Sequence, residues 1–170
     1  MKTAGIILAI VLALVLQTTI ARFVVSGTIA VDLVLVVVVY VALSSGSVPG
    51  LMTGTIAGLI QDSLSTTGVV GIGGLAKTII GFVTGVIGTQ FNIAEPVARF
   101  VVFFAATVVH QAITIGLGTL LGLRAFGMPY TAIAGEALGN AVVGVAAFQL
   151  TELLPGAVER RRMGRNRLRR

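Results

Sequence analysis

The side chains able to do chemistry are few, and most of them lie beside or inside apolar runs. Asp62 and Lys77 flank the Gly- and Ser/Thr-rich stretch 62–74 that joins two apolar segments. An antiparallel arrangement of those segments brings the opposite charges to one end of the molecule. Either charge alone at the middle of a bilayer costs about 2.5 to 3.5 kcal/mol on insertion scales. The expectation is therefore an ion pair or a cap that pins the loop, and the alternative is a functional pocket lined by Gln61, Asp62 and Lys77. Glu136 and Asn140 stand four residues apart in another apolar run, and His110-Gln111 lies in the middle of a third. Hydrogen bonding between two helices accounts for these groups. His110 has no second His, no Cys and no neighbouring carboxylate in sequence, so an intramembrane enzyme centred on it is the weakest reading. The chain has no cysteine, no metal-ligand spacing and no nucleophile elbow, and Gly71-Ile72-Gly73-Gly74 does not match a dinucleotide fingerprint. No cofactor, metal or enzymatic activity is expected.

The glycines form a second constellation. Gly50-x3-Gly54-x3-Gly58 places three of them on one helical face, where the missing side chains allow close approach of another helix. Gly81-x3-Gly85, Gly118-x3-Gly122 and Gly135-x3-Gly139 repeat the device. Packing within the chain is the first reading, and binding of a partner is the alternative.

These groups require elements suited to lipid. Of the 170 residues 56% are hydrophobic and 11% charged, and the mean hydropathy is +1.04. A water-soluble domain carries roughly 25% charged residues, so a soluble fold is excluded. The apolar residues fall in six runs: Ala4 to Ala21, Ile29 to Leu43, Pro49 to Gln61, Leu75 to Gln90, Pro96 to Leu123 and Thr131 to Leu154. The second run, rich in valine, would suit a strand in water, but an open strand edge has no hydrogen-bond partners in lipid, so helix is expected. Ser44 to Gly50 and Phe91 to Pro96 are polar breaks with proline placed to open the next helix, and Pro155-Gly156 is expected to end the sixth. Lys2 and Thr19-Ile20-Ala21 bracket the first run in the manner of a signal peptide; with five more runs behind it, an uncleaved first helix is expected. The fold expected is all-α, a polytopic membrane bundle of about six transmembrane helices over residues 1–156, with a basic tail over 157–170.

Orientation follows from basic residues. With six crossings, Lys2, Arg99 and the seven tail arginines share one side, leaving Arg22, Lys77 and Arg124 on the other. The basic side is the cytoplasmic one. Both termini are therefore expected in the cytoplasm, and attraction of the tail to anionic lipid explains its arginines without nucleic acid.

Three stretches in order resemble the bacterial rod-shape-determining MreD family. They are the run from Val31-Asp32 through Tyr40 to Leu43, then Gly54-x3-Gly58-Leu59-Ile60-Gln61-Asp62-Ser63, then Gly71-x2-Gly74-Leu75-Ala76-Lys77-x3-Gly81. Leu16-Gln17-Thr18-Thr19 and the basic tail support them; Val31 departs from the proline the family often carries before the Asp. The resemblance marks Asp32, Gly54, Gly58, Gln61, Asp62, Gly71, Gly74, Lys77 and Gly81 as motif or partner-binding positions. It implies a non-enzymatic component of the cell-elongation machinery in the bacterial inner membrane. The implied partners are an MreC-like membrane protein, MreB, a RodA-type glycosyltransferase and a class B penicillin-binding transpeptidase. It also implies a fold like that of the substrate-binding subunits of vitamin transporters, which supplies the alternative function: a small-molecule-binding membrane subunit of a transporter.

Overall fold

The computed structural model describes residues 3–23, 31–65, 70–91, 93, 95–122 and 130–167, with the side chains of residues 3, 20–23 and 154–167 left out of the description. The described residues form six helices: α1 Thr3–Phe23, α2 Leu33–Ser45, α3 Ser47–Leu64, α4 Ile72–Gln90, α5 Pro96–Leu120 and α6 Tyr130–Arg167. The all-α class is as expected, and the valine-rich run is helical. By length and composition, three of the described helices are long and apolar enough to cross a membrane: Ile72–Gln90, Pro96–Leu120 and Tyr130–Leu153. Ala4–Thr19 and Leu33–Ser45 are apolar but shorter.

The short helix α2 occupies the middle. Its 13 residues rise only about 20 Å, yet Val34, Val38, Val39, Val41 and Ala42 are fully buried. Helices α1, α3, α4, α5 and α6 all pack against it. Gly46, at φ 97°, breaks the chain between α2 and α3. A side chain at that backbone angle is strained, so the glycine permits a one-residue connection. Pro49 follows in the first turn of α3 and Pro96 begins α5, as the sequence predicts.

Pro155 does not end α6. The helix runs through Pro155-Gly156 to Arg167. A proline removes one backbone hydrogen bond and crowds the preceding turn, which bends a helix without having to stop it.

Helices α3 and α4 are antiparallel and held together by glycine. A Cβ on Gly50 would fall on the carbonyl of Gly81, one on Gly54 on the carbonyl of Lys77, and one on Gly58 on the Cα of Gly74. The backbones therefore touch along three turns. The Thr55 and Thr78 hydroxyls are hydrogen-bonded across the same seam at 2.9 Å. Gly85 continues the seam against Gly46 and Ser47. This is packing within the chain, the first of the two readings. Gly122 behaves differently: it lies past α5 at φ 67° with no described residue within 4 Å of where a Cβ would stand, so of the Gly118-x3-Gly122 pair only Gly118 is buried in the helix.

Candidate functional site: a buried polar hub at the start of α2

Asp32 is the N-cap of α2, and its Oδ1 accepts from the Leu35 amide at 3.0 Å. The first turn of any helix leaves amides without partners, and in an apolar setting each must be met by a side chain. Here the whole bundle meets them. Gln17 Oε1 on α1 accepts from the Val34 amide at 3.2 Å. Asn140 Oδ1 on α6 accepts from the Asp32 amide at 2.9 Å. Asn140 Nδ2 donates to Thr107 Oγ1 on α5 at 3.1 Å.

The carboxylate of Asp32 does a second task. Its Oδ2 lies 2.8 Å from Lys77 Nζ on α4, with the Lys77 side chain 3% exposed. Gln61 Nε2 on α3 donates to Oδ1 at 3.4 Å. Lys77 Nζ is also 3.2 Å from His110 Nε2 on α5. An ammonium group has donors only, so Lys77 donates, Nε2 accepts, and the imidazole proton resides on Nδ1. All six helices thus contribute a side chain to one cluster. A charge removed from water needs an opposite charge and hydrogen bonds on its remaining atoms, and Asp32 and Lys77 supply them to each other.

The expected pairing of Asp62 with Lys77 is corrected by this geometry. Asp62 Oδ2 accepts from the amides of Gly71 and Gly74, each at 2.9 Å. The Asp62 carboxylate therefore caps α4 from the end of α3, and a negative group is favoured at that positive helix end. Gly73 makes the approach possible, because a Cβ there would strike Asp62 Oδ1. Gly71, the N-cap of α4, holds φ 110°. Of the two structural readings of Asp62, ion pair or cap, the cap is what forms. Lys77 faces elsewhere because it shares the helical face of Gly74 and Gly81, which packs on α2 and α3.

The other expected contact is present: Gln111 Nε2 donates to Glu136 Oε2, joining α5 to α6. At the far end of the same two helices Arg99 Nη2 meets Glu152 Oε1 at 2.6 Å. Its guanidinium lies 4.4 Å from the centre of the Phe148 ring, which packs on Tyr40 of α2. The Arg99–Glu152 pair lies 53 residues apart in sequence, and nothing in the spacing announces it.

The motif residues thus divide by position. Asp32, Gln61 and Lys77 form the hub, Asp62, Gly71 and Gly74 the cap, and Gly54, Gly58, Gly74 and Gly81 the α3–α4 seam. Three residues carry more than the sequence suggested. Asp32 is the partner of Lys77, Gln17 caps α2, and His110 sits on the ion pair. An Asp directly before a long apolar run is a recognisable N-cap signal, and it locates the start of α2 at Leu33 instead of Ile29.

Three helices long and apolar enough to cross a membrane, with the Asp32–Lys77 ion pair sealed between helices and large aliphatic side chains such as Leu8, Leu12, Ile56 and Val101 left exposed, are features of a helical membrane protein. A family model described as rod shape-determining protein MreD matches residues 2–153. The chain belongs to the MreD family, and its role is in determining rod shape. Comparison with curated proteins and with solved structures gave no match.

Proposed function

We propose that this protein is a non-enzymatic component of the cell-elongation machinery that binds an MreC-like membrane protein and helps to organise peptidoglycan synthesis. MreB, a RodA-type glycosyltransferase and a class B penicillin-binding transpeptidase are reached through the same assembly. The observation that carries this reading is the family match over residues 2–153. The polar groups are consistent with it: the ionised pair, the cap and the glycine seam are spent on joining helices. In this reading Asp32, Gly54, Gly58, Gln61, Asp62, Gly71, Gly74, Lys77 and Gly81 act by fixing the helices that present the partner surface.

Affinity capture of the tagged chain from native membranes tests the proposal. An MreC-like protein is expected to be retained. An energy-coupling ATPase in its place would overturn the scaffold reading in favour of the small-molecule-binding subunit of a transporter.

The proposed setting is the bacterial inner membrane, with six crossings over residues 1–156 and a basic cytoplasmic tail over 157–170. Lys77 is sealed against Asp32 and so carries no weight as an orienting charge. Arg99 is likewise buried against Glu152, and the remaining basic residues divide eight to two in favour of the side holding both termini, counting Lys2 and seven tail arginines against Arg22 and Arg124. Reporter fusions at each terminus are expected to read as cytoplasmic. An external C-terminus would reverse the orientation, and termini on opposite sides would rule out an even number of crossings.

A further inference from the structure

Glu136 is a buried acid with no cation of its own. It is 4% exposed and lies inside the apolar span Tyr130–Leu153 of α6. Among the described residues its hydrogen-bond partner is the neutral amide of Gln111, which reaches Oε2. The other carboxyl groups of the chain are provided for. Asp32 is paired with Lys77, Glu152 with Arg99, and Asp62 lies on the free amides of α4. Glu95 and Glu159 stand outside the apolar spans. Lys77 cannot serve two acids, because its ammonium is already shared between Asp32 Oδ2 and His110 Nε2. A carboxylate taken out of water needs a cation or several donors in place of that water, and one amide is not enough. We propose that Glu136 is a proton-binding site, which carries its proton at neutral pH and, as the neutral acid, lets α6 close against α5 and α2 beside the hub.

The neighbours favour that state. Helices α5 and α2 pack on α6. From α2 comes Asp32, whose negative charge opposes a second one nearby, and Lys77 of α4 acts on Glu136 with its charge already balanced by Asp32. From α5 come Gln111, which is neutral, and the neutral imidazole of His110 beside it in sequence, while Arg99 is held by Glu152 at the far end of the two helices. With the proton bound, the interior holds one carboxylate and one ammonium. Without it, two carboxylates share one ammonium in a poorly solvated place. No group of three or more His, Asp or Glu side chains is placed to hold a metal ion among the described residues, so the proton is the cation this site fits.

Infrared spectroscopy of the full chain in lipid nanodiscs reads the proton directly, because a protonated carboxyl has a carbonyl stretch that a carboxylate lacks. With six carboxyl side chains in all and the other five ionised by the placement above, one such band per chain is expected at pH 7. Glu136→Gln, the neutral shape of the acid, is expected to fold and to lose the band. Gln111→Leu removes the hydrogen bond to the carboxyl oxygen and is expected to keep the band and move it to higher frequency. An acid that holds its proton when folded and releases it when unfolded loses stability as pH rises above about 4, where glutamate ionises in an unfolded chain. The thermal midpoint of the parent is therefore expected to fall more steeply between pH 5 and pH 9 (about the range to scan) than that of Glu136→Gln. A parent chain with no band at pH 7 would overturn the proposal, as would a band that survives Glu136→Gln. If Glu136→Gln fails to fold, Gln111→Leu decides: a band that does not move belongs to another carboxyl, and the proposal falls.

Discussion

Replacing Lys77 with Met should destabilise the bundle by about 3 to 5 kcal/mol, the cost of leaving one member of a buried pair without the other. Asp32 would keep its bonds from the Leu35 amide and Gln61 but would face no cation. Asp32→Asn should cost a similar amount for the opposite reason: an Asn can still cap α2, while Lys77 loses its carboxylate. Equilibrium unfolding in mixed micelles, followed by circular dichroism, reads both. A loss of less than about 1 kcal/mol for Lys77→Met, the scale of an exposed ion pair, would mean that water reaches the pair and that the hub is not sealed.

The second large effect belongs to the glycine seam. Gly54→Leu should cost at least about 3 kcal/mol, beyond the usual range for overpacking, because a side chain there meets the carbonyl and amide of Lys77 and Thr78. Backbone cannot turn aside as a side chain does. The helices must separate, and separation also withdraws Lys77 from Asp32 and Gln61 from its bond. The yield of folded protein and capture of an MreC-like partner should fall together. Gly116→Leu, on an open face of α5, is the matched control and should leave the yield unchanged. Equal yields for the two variants would show that the α3–α4 seam tolerates bulk.

The elements were legible because lipid removes alternatives. A valine-rich run that would be ambiguous in water has to be helical, and Gly46, Pro49 and Pro96 mark real boundaries. The glycine face was legible for the same reason, since spacing of four residues on a membrane helix has few other uses. Choice of charge partner was less so. Asp62 and Lys77 are fifteen residues apart and flank one loop, which made them the obvious pair, but the partner is set by helical face and not by sequence distance. Asp62 ends α3 pointing along the axis of α4, where free amides wait, whereas Lys77 lies one turn inside α4 on the side that meets α2. Pro155 misled in the other direction, because a single missing hydrogen bond does not outweigh the helical turns on either side of it.

The measurement that tests the account most directly is the coupling energy between Asp32 and Lys77, taken from unfolding free energies of Asp32→Asn, Lys77→Met and the double variant. The account predicts a double variant more stable than the sum of the single losses implies, with a coupling of about 2 kcal/mol or more. The same cycle on Asp62 and Lys77 should give a value near zero, because Asp62 caps α4 and does not touch the ammonium. Additive losses for Asp32 and Lys77, or a large coupling for Asp62 and Lys77, would contradict the hub at the start of α2.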